Sequence, residues 1–234
     1  METWYPKAKQ LPITTQEFFA TRIVPVVGIV NHVTAGSDSR DWLQHADNNS
    51  SVHFLIRMEG GAAVVYQFMS IARGAWANGR YSPPATTPGM PSWVKSLISR
   101  KININHATIS IEHEKPVPFN NDMHPAMLDA TIALQKWIRE QVPTIPADRE
   151  HIIGHFQIDN LQRAFCPGGA GGKGFPFTEI IAALQGTPPQ PEPPPANQTA
   201  IQQYAAAHTY VGLPLWGAER AMILEDGREY QCLL

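Results

Sequence analysis

Along the first 185 residues the hydrophobic positions switch between a period of two and a period near 3.6, which predicts strands and helices in alternation. Residues 23–30 (IVPVVGIV) form a β-branched run of the kind buried on both faces of a sheet, ending at Asn31 and His32. Residues 52–56 (VHFLI) and 63–68 (AVVYQF) flank Glu59-Gly60-Gly61, which predicts a hairpin. In residues 107–114 (ATISIEHE), strand alternation sends Ile109 and Ile111 to one side and Ser110 and Glu112 to the other. Glu112 therefore points away from the apolar layer. Residues 151–154 (HIIG) read as a short strand ending at His155.

Between these strands lie helical patterns. Ser37 or Asp38 can cap a short helix to about Ala46, and Ser92 one to about Arg100. Met127, Ala130, Leu134, Trp137, Ile138 and Val142 fall on one helical face, and Pro143 sets the end of that helix. Residues 177–184 predict a closing helix after the glycine-rich stretch 168–174. Such alternation predicts a mixed α/β domain.

The pattern breaks at residues 187–195 (TPPQPEPPP), where proline removes backbone donors and favours an extended, stiff chain. The predicted organisation is a main domain over 1–185, a linker over 186–196 and a small segment over 197–234. That last segment is near the size limit for unaided folding, so docking on its neighbour, dimerisation and a truncated module all fit. Its Tyr204, Tyr210, Trp216 and Tyr230 suit glycan or peptide stacking as well as a small core.

Composition narrows the function. With 18 basic and 20 acidic residues the net charge is −2, so no global positive field draws nucleic acid or anionic membrane. No apolar run approaches the roughly 20 residues that span a bilayer, and residues 1–10 lack the layout of a signal peptide. The expectation is a soluble protein with no visible export address. Two cysteines, Cys166 and Cys232, are too few for a disulfide scaffold.

Cys166 has another use. His155 precedes it by eleven positions in a loop-rich span that can fold both side chains onto one metal. A lone histidine at a strand end is more often a hydrogen-bonded structural residue, and a lone cysteine is more often inert core. Adding His32 changes the weighing: two imidazoles and a thiolate are a three-ligand set that leaves one tetrahedral position on zinc open, as a hydrolase needs.

The chain resembles the type 2 N-acetylmuramoyl-L-alanine amidases, which include phage amidase lysozymes and peptidoglycan recognition proteins. The resemblance spans roughly residues 20–185. It rests on the order and spacing of His32-Val33-Thr34-Ala35, Ser51-Val52-His53-Phe54, Val65-Tyr66-Gln67, Ala75-Trp76, Ser110-Ile111-Glu112, Gly154-His155 and Cys166-Pro167-Gly168. It implies a central mixed sheet flanked by helices and one zinc per chain on His32, His155 and Cys166. It also implies Glu112 as the general base of metal-assisted amide hydrolysis, with peptidoglycan or a muropeptide as substrate.

Other positions depart from the family. Val52 stands where some phage enzymes have a tyrosine, and residues 75–79 (AWANG) lack a histidine that often lines the groove. Ala164 replaces a lysine or threonine that steadies the oxyanion, which makes Arg163 the candidate substitute. Trp76 is assigned to the groove, and His53 to the groove or to a position just behind the metal. Two competing readings stay open: a non-catalytic peptidoglycan-binding protein, and a structural zinc whose fourth position His53 closes.

Overall fold

In the computed structural model the described residues are 2–14, 18–45 and 50–186, with the backbone of 221–223 and 229–231. The chain divides into two units, Met1–Pro188 and Pro189–Leu234. Most of the linker and the segment beyond it, including Tyr204, Tyr210, Trp216 and Cys232, lie outside the described residues.

In chain order the first unit contains strands β1 (Lys9–Gln10), β2 (Phe18–Phe19), β3 (Gly28–Val33), helix α1 (Ser39–Gln44), β4 (Phe54–Glu59), β5 (Ala62–Gln67) and β6 (Gly74–Ala75). It continues with α2 (Ser92–Ser99), β7 (Thr108–His113), α3 (Pro125–Gln141), β8 (Ile152–Gly154), α4 (Asn160–Arg163) and α5 (Phe177–Leu184). In the second unit, β9 (Ala221–Ile223) pairs antiparallel with β10 (Glu229–Gln231).

Six strands make one sheet in the order β1-β5-β4-β7-β3-β8. Only the β4–β5 hairpin is antiparallel; the other neighbours run parallel. The expected central mixed sheet flanked by helices is therefore present. β3 starts at Gly28 rather than near residue 23 and runs on through Val33. Pro25 has no N–H to give a ladder, and the first bond to the β7 side comes from Val27 N–H to the carbonyl of Ala107. His32 thus sits inside the strand, one residue from its end.

The central strands are covered on both faces. Ile29, Phe54, Ile56, Ile109, Ile111 and Ile152 form the core beneath α3, with Leu134 and Ile138 of α3 fully buried against them. On the opposite face, Val30 and Ile153 pack with Val94 and Leu97 of α2, and Leu55 packs with Leu43 of α1. Burying each such side chain contributes about 1.5–3 kcal/mol. Double coverage leaves the C-terminal edge of β3, β7 and β8 as the open rim, where α/β sheets carry their ligands.

Two buried histidines tie stability to pH. Burial holds His53 down to about 3 and His113 down to about 4. Both stay neutral in the fold, while the unfolded chain takes up their protons below about 6.5. The contribution of these two rings is therefore full above that pH and falls as the pH drops toward 4, by about 1.4 kcal/mol per pH unit for each ring. Thermal melts of the protein should move steadily down between pH 6.5 and 4.5. A midpoint that does not change between pH 7 and 5 would contradict this.

Candidate metal centre and active site

β3 and β7 run in parallel with His32 opposite Glu112. Strand alternation then places His32 and Glu112 on the same face, the one not covered by α3. β8 lies on the other side of β3 with Asn31 opposite Gly154, so the next residue, His155, enters at the same edge. Gly154 is needed there: a Cβ would sit 2.7 Å from the Phe156 ring and 2.8 Å from Pro167. The chain passes through α4 and returns at Cys166, whose carbonyl accepts from Phe156 N–H at 3.1 Å. Its sulfur accepts from Val33 N–H at 3.4 Å. Cys166 is thereby fixed over the end of the strand that carries His32.

These three residues form a cluster whose donor atoms all lie within 4.8 Å of one another. His32 Nδ1 and His155 Nδ1 face each other at 3.0 Å. His155 Nε2 donates to the backbone carbonyl of Asn78 at 3.0 Å, because a carbonyl can only accept. With its proton on Nε2, neutral His155 presents its Nδ1 lone pair to His32, where either the Nδ1–H of His32 or a cation shared by the two rings meets it. Glu112 stands across the cluster with Oε1 4.0 Å from His32 Nδ1. Its Oε2 is buried with no hydrogen-bond partner among the described residues.

The electrostatics point the same way. Burial, then the neighbouring His155, hold His32 well below the usual histidine range. Burial holds His155 at about 4. Both rings are thus neutral, which is the ligating form. Burial raises Glu112 to about 8, against the opposing pull of Arg163. Burial and the nearby Glu112 raise Cys166 to about 12. A thiol and a carboxyl that resist ionisation beside two neutral imidazoles form a site short of positive charge. A dication relieves all of this at once, and an N,N,S donor set suits zinc.

The cluster lies at the floor of a pocket of about 400 Å³, which Val52, Ala77, Glu112 and Arg163 also line. Arg163 is exposed on the wall, where its charge acts on Glu112 and both histidines. The structure does not bring His53 to the groove. Its ring is fully buried, with Nδ1 accepting from Ser110 N–H at 3.1 Å and Nε2 donating to the Arg73 carbonyl at 3.0 Å. Both nitrogens are engaged, so His53 does not close the metal site. Trp76 is not among the residues lining this pocket; its ring packs on Phe19 at 4.3 Å and its backbone N–H donates to Ser51 Oγ at 2.8 Å. Asn78 supports the site and was visible in the sequence only as part of a departure from the family pattern. Its one signal was an amide side chain in a short segment between strands.

Two neutral imidazoles, a sulfur and a facing carboxyl at the mouth of parallel strands define the layout of a metal-assisted hydrolase. The chain belongs to the N-acetylmuramoyl-L-alanine amidase family, whose model matches residues 23–169. It is an amidase of peptidoglycan. Among solved structures, a selenomethionine derivative of AmpD is 18% identical over 79% of this chain and 97% of that one, with a TM-score of 0.55. This likeness shows the shared fold. The amidase LysC from Clostridium intestinale URNW is 19% identical, covering 77% of this chain and 99% of that chain, with a TM-score of 0.47. AmiD from E. coli, solved with anhydro-N-acetylmuramic acid-L-Ala-D-gamma-Glu-L-Lys, is 22% identical over 74% of this chain and 62% of that one, at 0.48. No curated protein matches the chain. Among the described residues no helix is long and apolar enough to cross a membrane.

Proposed function

We propose that this chain hydrolyses the amide between the lactyl group of N-acetylmuramic acid and L-alanine with one zinc ion held by His32, His155 and Cys166. The observation that carries this reading is the pair of imidazole nitrogens facing each other at 3.0 Å, with Cys166 in the same cluster and Glu112 across it. When bound there, zinc supplies a Lewis acid that polarises the amide carbonyl and makes water nucleophilic near neutral pH.

The chain's own groups do the rest. Glu112 accepts the proton of the attacking water and returns it to the leaving nitrogen, so the new amine departs neutral. No covalent bond to the protein forms. Arg163 on the pocket wall provides positive charge toward the oxygen that gains negative charge. Residues 1–185 carry the chemistry, and residues 197–234, joined through 186–196, serve as a targeting, docking or dimerising segment.

Digestion of purified sacculi tests the reading. New L-alanine amino ends should appear in step with soluble stem peptides, stop when a chelator strips the protein, and return with added zinc. Reducing sugar ends in place of L-alanine ends, or release that continues undiminished after stripping, would overturn it.

A further inference from the structure

Four polar side chains, Asn31, His113, Thr131 and Gln135, lie fully buried between the sheet and α3, in the layer that Ile29, Ile111, Leu134 and Ile138 fill with hydrocarbon. Strand alternation turns Asn31 and His113 to this side, and Thr131 and Gln135 are one turn apart on α3 and so face it together. None of the four lines the pocket. His113 Nδ1 donates to the His32 carbonyl at 2.9 Å, because a carbonyl only accepts, and its Nε2 faces the Thr131 hydroxyl at 3.1 Å. That hydroxyl also stands 2.7 Å from the Met127 carbonyl. One residue back along β3, the Ile153 carbonyl fixes the Asn31 atom facing it as nitrogen, at 3.2 Å. The Asn31 oxygen then accepts from Gln135 Nε2 at 2.9 Å.

This polar seam gains little stability. Apolar side chains of similar size fill such a layer without desolvating polar groups, and the Gln135 oxygen is buried with no hydrogen-bond partner among the described residues, which is a direct cost. What a hydrogen-bonded seam adds is one defined arrangement, because its bonds are directional whereas apolar contacts slide. Its two arms end on the backbone beside the donors: on His32 itself, and on Ile153, two residues before His155. The His113 ring reaches toward the third donor as well. Its centre lies 6.1 Å from that of Phe119 and 5.1 Å from that of Phe175, both edge-on. Phe119 N–H in turn donates to the carbonyl of Pro167, next to Cys166, at 3.0 Å.

We infer that the buried seam beneath α3 sets the spacing of the metal donors, with His113 and Gln135 as positioning residues that act through the backbone of His32 and of β8. α3 thereby braces the strands from behind, on the side of the sheet away from the pocket. The inference rests on the zinc reading above and adds to it the device that keeps three donors within reach of one ion.

The test measures zinc affinity by chelator competition, the visible bands of the cobalt-substituted protein, which report ligand geometry, and melting of the metal-free protein. His113→Leu removes the donor to His32, and the Thr131 hydroxyl keeps the Met127 carbonyl as a partner. It should melt within about 4 °C of wild type. It should bind zinc about tenfold more weakly, at the low end of the roughly 10–100-fold typical of losing an outer partner, with shifted cobalt bands. His113→Asn puts an amide nitrogen where Nδ1 stood and should restore affinity to within about threefold. Nitrogen NMR of wild type should find the His113 proton on Nδ1, a reading that needs no variant to fold. A folded His113→Leu with zinc affinity within threefold of wild type, a loss of affinity that only parallels a fall in melting midpoint and is not rescued by asparagine, or a His113 proton on Nε2 overturns the positioning role and leaves the zinc site standing. A wild type that binds no zinc overturns the metal reading and the brace with it.

Discussion

Glu112→Gln lowers turnover by about 10²–10⁴-fold, the usual worth of a positioned general base, while zinc content and KM stay near those of the wild type. Glutamine keeps the size and hydrogen-bonding span of the side chain but cannot take a proton. The carboxyl faces His32 at 4.0 Å and is only 18% exposed, so bulk water is a poor substitute for it. Burial raises it to about 8 in the metal-free chain. A dication beside it would favour the charged form and lower that value, so loading the site would turn Glu112 into the base of the proposed reaction. Steady-state kinetics with metal analysis on the same samples decide the matter. A Glu112→Gln protein within tenfold of wild-type turnover would remove Glu112 from the chemistry.

Cys166→Ser produces the second large effect, on the metal rather than on turnover alone. The sulfur is held by Val33 N–H and raised to about 12 by burial and Glu112, so it ionises only with a cation beside it. A serine hydroxyl at that position is a harder and far less acidic donor. Zinc affinity should fall by more than the roughly 10–100-fold typical of losing an outer hydrogen-bond partner, and activity should fall with it. Zinc uptake by the stripped wild type at pH 7 should release about one to two protons, from the thiol and in part from Glu112. Cys232→Ser, outside the described residues, should keep both metal and activity. Equal zinc affinity in wild type and Cys166→Ser would take the thiolate out of the ligand set.

Much of this was legible in the sequence because strand and helix periods are local properties. Residues 107–114 placed Ile109 and Ile111 opposite Ser110 and Glu112, and the fold buries that apolar pair beneath α3 while Glu112 faces the pocket. His32, His155 and Cys166 were picked out together as a three-donor set by their residue types and order, and the structure brings all three into one cluster. The start of β3 was less legible, since a β-branched run carries on through Pro25 without regard to the hydrogen bonds that proline cannot make.

Side-chain direction across distant segments was not legible at all. His53 lies next to Phe54 and near the pocket-lining Val52, yet just ahead of β4 its ring turns inward, where Ser110 and Arg73 engage both nitrogens. Asn78 shows the converse. Its contacts run to Asn105, Thr108 and His155, and only the folded chain brings these together.

The most direct measurement is a zinc titration of metal-stripped protein, following release of L-alanine amino ends from sacculi at each addition. Activity should rise in proportion to zinc and break at one equivalent per chain, with no such rise for Cys166→Ser. Full activity before any zinc is added, or the same break in Cys166→Ser, would contradict a single catalytic zinc held by His32, His155 and Cys166.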